Sequence, residues 1–170
     1  MEKINSAVFD TGPFIHLKEI NFLESIKLFK RILIVEELLD EIKGDKNILA
    51  SIKNTASIKI VKINPKFKDF AKLLIEKYCL DITEAECIAL ALQEKAESFF
   101  TDDLDARNTA KEFNIDVHGT IGIILRAYRE NFITKNTAIG KVKGLYLNSS
   151  LFITKDLIDW VINNIEEYKK

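Results

Sequence analysis

Short apolar runs alternate with stretches of helical periodicity along the chain. The first apolar run, 7–9, stops at Asp10-Thr11-Gly12-Pro13, after which apolar residues recur at helical spacing and Pro13 suits the first helical position. Further strands are predicted over 31–35, 57–63 and 98–101, with a last short one at Val117. Helices are predicted over 36–43, 48–57, 66–78, onward from Thr83, and over 106–113, 120–130, 134–147 and 154–168.

This order of elements predicts the fold class. Strands alternate with helices, and no hairpin turn signal joins two strands, which favours a parallel sheet covered on both faces. The expected fold is therefore α/β, a three-layer α/β/α sandwich with a parallel sheet and added C-terminal helices. No repeat or low-complexity linker interrupts the chain, so we expect a single domain over residues 1–170, with a core at about 4–130 and a helical extension at about 131–170.

Composition narrows the classes of function. The 170 residues are 47% hydrophobic and 30% charged, as in a well-cored globule, and a net charge of −1 gives no global attraction to nucleic acid or membrane. No apolar stretch is long enough to span a membrane, and the N-terminus lacks the pattern of an export signal. Cys79 and Cys87 lack Cys-x-x-Cys spacing and are predicted to be buried, reduced thiols, so we expect a cytoplasmic protein without membrane contact.

Acidic residues directly follow two of the predicted strands. Asp10 follows the first strand, and Asp102 and Asp103 follow the strand that ends at Thr101. Because ligands of open parallel sheets bind beyond the carboxyl ends of the strands, these carboxylates are expected at the binding edge. Several carboxylates in one pocket repel one another unless a cation neutralises them, and oxygen ligands suit Mg²⁺ or Mn²⁺. The alternative is that each acid caps a helix or is solvated at the surface.

The helix that begins near Thr83 carries two glutamates. Thr83-x-x-Glu86 has the form of a capping box, which gives Glu86 a structural role. Glu84 shares a helix face with Cys87 and lacks an evident partner, so Glu84 is the better functional candidate.

The helix predicted over 36–43 also carries acids beside its buried stripe. At about 100° per residue, Glu36 and Glu41 lie nearest the edge of this stripe, and Glu37 and Asp40 point outward. The pattern does not separate Glu36 from Glu41.

Taken in order, these motifs resemble those of PIN-domain nucleases, a family that includes the VapC-like toxin ribonucleases. The resemblance covers roughly residues 4–130 and implies an acidic Mg²⁺ or Mn²⁺ site that hydrolyses RNA on an α/β/α sandwich. The segments that carry it are Val8 to Thr11, Glu41, Leu80 to Ala91, Phe100 to Asp103, and Gly119 to Ala127, which is similar to the closing helix of a prokaryotic branch of the family.

The resemblance implies a role for each matching residue. The implied catalytic acids are Asp10, Glu41, Glu84, Asp102 and Asp103, and all but Glu41 are implied metal ligands. Glutamate at position 84 departs mildly from the aspartate that members commonly have. For the fourth acid, a Thr-x-Asp pattern favours Asp103 and the spacing from Glu84 favours Asp102, so both stay open. The implied supporting residues around the metal are Thr11, Thr101 and Asp105.

The expected partners follow from the same resemblance. RNA is the implied substrate, and Arg107, Arg126 and Arg129 are the candidate phosphate contacts, with ion pairs to nearby acids as the structural alternative. A toxin of this family would have an antitoxin partner and form a homodimer, for which the surface around Trp160 is a candidate, although Trp160 suits the core equally well. The alternative function is a non-catalytic RNA-binding or protein-interaction module.

Other hydrolase classes fit less well. Asp10-Thr11-Gly12 is also the signature of aspartic proteases, but the pattern is rich in helices and a second Asp-Thr/Ser-Gly is absent from the sequence. Only two histidines occur, His16 and His118, without a zinc or serine hydrolase motif. His16 is predicted to be a partly buried helix residue.

Overall fold

The computed structural model describes residues 5–168. The predicted domain limits at 1, 4 and 170, and most of the N-terminal segment considered as an export signal, lie outside the described residues. The strands are β1 (Ala7–Phe9), β2 (Ile32–Ile34), β3 (Ile58–Ile60), β4 (Ser98–Phe100) and β5 (Val117–His118). The helices are α1 (Thr11–Glu19), α2 (Glu36–Glu41), α3 (Lys46–Asn54), α4 (Pro65–Tyr78), α5 (Ile82–Glu94), α6 (Leu104–Glu112), α7 (Thr120–Arg129), α8 (Lys135–Asn148) and α9 (Lys155–Glu167), with a 3₁₀ helix at Leu23–Leu28.

All five strands pair in parallel, in the order β3-β2-β1-β4-β5. After β1 the chain builds the sheet outward through β2 and β3, then crosses back to add β4 on the other side of β1. The β1–β4 boundary is therefore the topological switch point of the sheet. In such a sheet the crevice for ligands lies beyond the carboxyl ends of the two strands at this boundary. The α/β class with a parallel sheet is confirmed.

Helices flank the sheet, and its central strands β1, β2 and β4 are buried throughout. Helix α5, whose residues 85–91 are almost fully inaccessible, packs against β1, β4, α2, α4 and α6. Helix α1 packs with α7, α8 and the 3₁₀ helix, and α9 packs on α8. Among the described residues no helix is both long and apolar enough to cross a membrane.

Aromatic packing anchors the two central strands close to their carboxyl ends. The rings of Phe9 and Phe100 stack with their centroids 4.8 Å apart, and Phe29 lies edge-on to both at 5.0 Å. Aromatic pairs of this kind stabilise a core beyond the area that they bury. Each stacked ring directly precedes a site segment, so this packing fixes where Asp10 and Thr101 leave the sheet.

The structure corrects several local predictions. Helix α1 begins at Thr11 and not at Pro13, because the Asp10 side chain accepts a hydrogen bond from the Thr11 backbone N–H and caps the helix two residues earlier. The 3₁₀ helix was not predicted, and β3 covers only the centre of the run predicted as a strand. Cys87 is buried as predicted, but Cys79 is exposed, in a left-handed conformation (φ 56°) that ends α4.

Candidate active site

A cavity of about 390 Å³ opens at the carboxyl ends of β1 and β4. We call it the acid cavity. Its polar lining comes from five chain segments, and apolar Leu151 and Phe152 close one side. The polar lining residues are Asp10, Thr11, His16, Glu41, Asp81, Glu84, Asp102, Asp103 and Ser150. The structure thus brings all five predicted catalytic acids to one cavity.

Asp10 lies at the floor of the acid cavity with 7% of its surface exposed. Its Oδ1 accepts a hydrogen bond from the Thr11 backbone N–H at 2.8 Å, and its Oδ2 accepts one from the Thr101 hydroxyl at 2.7 Å. Thr101 is fully buried, and its Oγ1 in turn accepts from the Asp103 N–H at 3.2 Å. The Asp10 carboxylate is therefore held in one orientation from β1 and β4 together.

Burial raises the pKa of Asp10 from 3.8 to about 6, because the charged form loses hydration. The hydrogen bonds from Thr101 and Thr11 oppose this shift, and the negative charges of Asp81 and Glu41 add to it. Binding of a proton, or of a cation beside it, therefore stabilises the buried Asp10 carboxyl group.

Glu84 enters the cavity from the first turn of α5, where it has a structural role that the sequence did not predict. The capping box consists of Asp81 and Glu84, not of Thr83 and Glu86. The Glu84 N–H donates to Asp81 Oδ1 at 2.8 Å, and the Asp81 N–H donates to Glu84 Oε2 at 3.0 Å. The prediction that Glu84 lacks a partner is therefore wrong, as is the capping role given to Glu86.

The surroundings of Glu84 also change its pKa, which is raised from 4.5 to about 7. Desolvation is the largest cause, the charges of Asp81, Asp103 and Asp10 add to it, and the hydrogen bond from the Asp81 backbone opposes it. Four carboxyl groups from three chain segments thus interact within one site.

Asp102 and Asp103 have different surroundings. Asp102 Oδ1 accepts from the Thr120 N–H at 2.7 Å, and its Oδ2 accepts from the Thr120 hydroxyl at 2.5 Å and lies 2.7 Å from His16 Nδ1. Asp103 caps α6 by accepting from the Ala106 N–H at 2.8 Å through Oδ1 alone. Asp102 is therefore occupied by three protein donors, whereas Asp103 keeps Oδ2 outside this cap.

Gly119 makes the Asp102 network possible. A Cβ atom at this position would lie 2.5 Å from Asp102 Oδ1 and 3.3 Å from Arg107 Nη1. Any larger residue would push the Asp102 carboxylate away from the first turn of α7. This glycine allows close approach between two segments.

The remaining predicted residues lie at the edge of the site or away from it. Glu41 is an exposed residue at the end of α2 and lines the cavity, whereas Asp105 is exposed in the first turn of α6 and does not.

The three predicted arginines lie outside the acid cavity. Arg107 lines an adjoining cleft. Arg126 and Arg129 line a different cavity, where Arg126 forms a 2.6 Å ion pair with Glu130. Arg126 therefore fits the structural alternative, an ion pair with a nearby acid.

The sequence did not identify Asp81 and His16 as site residues. Asp81 lies three residues before Glu84, and this spacing carries the same capping signal as the Thr83–Glu86 pair. His16 is a partly buried residue of α1, as predicted, but its contact with Asp102 was not expected. His16 lies four residues after Gly12 and therefore on the same face of α1, and both residues line the acid cavity. This spacing is the feature of the sequence that points to His16 as a site residue.

The donor set of the acid cavity fits a hard divalent cation. It consists of carboxylate oxygens, and the buried Thr11 Oγ1 has no hydrogen-bond partner among the described residues. Within residues 5–168, however, no three His, Cys, Asp or Glu side chains are arranged to hold a metal ion as they stand. Glu84 Oε2 accepts from the Asp81 N–H, and Asp103 Oδ1 accepts from the Ala106 N–H.

Comparisons with known proteins agree with this architecture. Residues 6–167 match the model of a family described as DUF3368, PIN domain. Among solved structures, the chain is similar to a PilT N-terminus domain protein, SSO1118, from the hyperthermophilic archaeon Sulfolobus solfataricus P2. The identity is 21% and the TM-score 0.50, over 72% of this chain and 93% of that one, which shows a shared fold. A search of curated proteins found no match.

Proposed function

Because the chain belongs to the PIN-domain family, we propose that it is a divalent-metal-dependent endoribonuclease that hydrolyses phosphodiester bonds of RNA. The family membership expected from the acidic motifs is confirmed, and the activity is the proposal. The acid cavity carries it, because several carboxylates converge at the switch point of the sheet, where burial, and to a smaller extent their mutual charge, raises the pKa values of Asp10 and Glu84. That convergence is costly for an apoprotein and useful for a site that binds a cation.

Asp10, Glu84 and Asp103 are the proposed ligands of Mg²⁺ or Mn²⁺. The negative charges of Asp10 and Asp103 both act on Glu84, and each of the three residues comes from a different segment. When bound, the cation supplies positive charge against the phosphodiester and polarises an attacking water. Asp103, and not Asp102, is the proposed fourth acid, because Asp102 Oδ2 already contacts both Thr120 and His16, whereas Asp103 Oδ2 lies outside its helix cap.

The other residues of the site position these ligands. The Thr101 hydroxyl fixes Asp10 and ties it to the Asp103 backbone, so that β4 sets the distance between two ligands. The buried Thr11 hydroxyl is available to a water or to a substrate oxygen beside Asp10. Glu41, exposed at the rim, is the carboxylate best placed to accept a proton from solvent-side water.

The test compares metal dependence in wild type, Asp10→Asn and Glu37→Gln. Mn²⁺ is titrated into EDTA-treated wild type and Asp10→Asn, and cleavage of a labelled mixed single-stranded RNA is followed. We expect cleavage that requires both the metal and Asp10, whereas Glu37→Gln, a carboxylate outside the cavity, should behave as wild type. Equal, metal-independent traces in all three proteins, together with RNA retention on a filter, would instead support a non-catalytic binding module.

A toxin role, an antitoxin partner and a homodimer are finer proposals that rest on the motif resemblance. Induced expression of wild type should arrest growth, and Asp10→Asn should not. Growth arrest by both proteins would dissociate toxicity from the acid cavity. Light scattering behind a sizing column tests the dimer separately.

A further inference from the structure

A second cleft adjoins the acid cavity. Its volume is about 290 Å³, and it shares Asp102, Leu151 and Phe152 with the acid cavity. Its remaining lining includes Leu104, Arg107 and Trp160. We call it the aromatic cleft. A molecule that extends out of the acid cavity past Phe152 enters this cleft directly.

The large apolar side chains of the cleft are unusually exposed. Phe152 is 92% accessible, Leu104 69% and Trp160 61%. They come from three segments, namely the start of α6, the connection between α8 and α9, and α9. Single exposed apolar residues are common, but several that converge on one groove beside a polar site mark a binding surface.

The cleft also carries a positive charge suited to a phosphate. Arg107 lines it, and within residues 5–168 no salt bridge to Arg107 is present, because the neighbouring Asp102 is engaged by Thr120 and His16. A guanidinium that retains its donors beside flat aromatic faces offers the two contacts that a nucleotide makes, one to phosphate and one to the base.

We propose that the aromatic cleft binds one nucleobase of single-stranded RNA, next to the phosphodiester that lies in the acid cavity. The base stacks on Phe152 and also contacts Trp160, and Arg107 contacts the adjoining phosphate. The proposal rests on the proposed nuclease function and adds the substrate class, since the faces of bases in a duplex are covered by their neighbours. Continuity with the acid cavity and the charge of Arg107 favour a nucleotide over a second protein chain.

Binding is measured in the Asp10→Asn background, which keeps the RNA intact. A labelled single-stranded RNA of eight nucleotides should bind about 5- to 150-fold more weakly when Phe152 is changed to Ala, because one stacked base contributes about 1–3 kcal/mol. Phe152→Tyr should restore binding. Leu147→Ala is the matched control, since Leu147 is 71% exposed but lines neither cavity.

Trp160 gives a direct second readout, because it is the sole tryptophan of the chain. Stacking of a base should quench its fluorescence in Asp10→Asn on addition of the RNA. An abasic oligomer of the same length, which retains the phosphates, should leave the fluorescence unchanged.

The outcomes separate this inference from the nuclease function. Wild type that cleaves RNA with Mn²⁺, while Phe152→Ala neither weakens binding nor alters quenching, overturns the cleft and leaves the nuclease intact. Wild type that never cleaves, while binding depends on Phe152, supports the cleft and overturns the nuclease. Trp160 fluorescence that changes with protein concentration alone, with a dimer that Trp160→Ala abolishes, assigns the cleft to a second copy and overturns the inference.

Discussion

Two groups of carboxylates lie on opposite sides of the same helix start, and the protein treats them differently. In the acid cavity, Asp10 and Glu84 face other acids, and none of the described lysines or arginines lines it. The second group lines a smaller cavity of about 170 Å³ with Lys62 and Lys68. We call it the lysine-flanked group, and its acids are Glu36, Glu37 and Glu86.

The lysine-flanked group neutralises itself. The pKa of Glu86 is raised to about 7, first by burial and then by its hydrogen bond with Glu37, whereas the same hydrogen bond lowers the pKa of Glu37. The pair therefore shares one proton near neutral pH, and the positive charge of Lys68 favours the remaining carboxylate. The lysine-flanked acids are therefore neutralised by a shared proton and a lysine, whereas none of the described lysines or arginines lines the acid cavity.

The largest expected effect concerns Asp10 and folding stability. Its pKa in the folded state, about 6, lies above the ordinary 3.8, so the native state holds the proton more tightly. The free energy of unfolding should thus fall as pH rises from about 4 to 6 and stay reduced above, by about 3 kcal/mol. Asp10→Asn should be more stable than wild type at pH 8 in urea unfolding and should lose this advantage at pH 3.5. An advantage that is the same at both pH values would contradict the assigned cause.

The next largest effect is a difference in cleavage rate between substitutions of Glu84 and Glu86, which both lie near the start of α5. Glu84→Gln should lower metal-dependent cleavage about 10- to 100-fold, because it removes a proposed ligand charge. Glu86→Gln, two residues along, preserves the hydrogen bond to Glu37 and should change the rate less than about twofold. Initial rates at saturating RNA measure both, and equal losses would mean that the two groups act as one site.

A smaller effect distinguishes the adjacent aspartates. Asp102→Asn removes an acceptor that serves Thr120 and His16, which should lower the free energy of unfolding by about 1.5 kcal/mol. Asp103→Asn keeps a good helix cap, so it should be nearly neutral for stability and yet reduce cleavage and Mn²⁺ affinity. Urea titrations and Mn²⁺ titrations of both variants test this. If Asp102→Asn is as stable as wild type but fails to bind Mn²⁺, Asp102 is the metal ligand and Asp103 is not.

The smallest effect tests the lysine-flanked group alone. Lys68 is exposed, so Lys68→Met should lower the free energy of unfolding by less than about 1 kcal/mol at pH 8, and by less at pH 5, where Glu86 carries its proton. RNA cleavage should be unchanged. A clear loss of cleavage would show that this lysine serves the acid cavity.

Much of the fold and the identity of the principal acids could be predicted from local patterns. The alternation of strands and helices predicted that Asp10, Asp102 and Asp103 lie at one edge of a parallel sheet. Each follows the carboxyl end of its strand, and in a parallel sheet these ends lie at the same edge whatever the order of the strands. The start of α5 could not be predicted in the same way. Asp81-x-x-Glu84 and Thr83-x-x-Glu86 are overlapping caps, and burial of Leu80 and Thr83 against the core chooses the first.

The sequence by itself determined that acids leave the central strands together, since apolar periodicity and helix signals are short-range properties of the chain. The tertiary structure alone decided which oxygens face the acid cavity. Asp102 is occupied by Thr120, eighteen residues later, and by His16, eighty-six residues earlier. Such donors come from segments that meet only when the sheet and its helices have packed, so no local pattern could have assigned them.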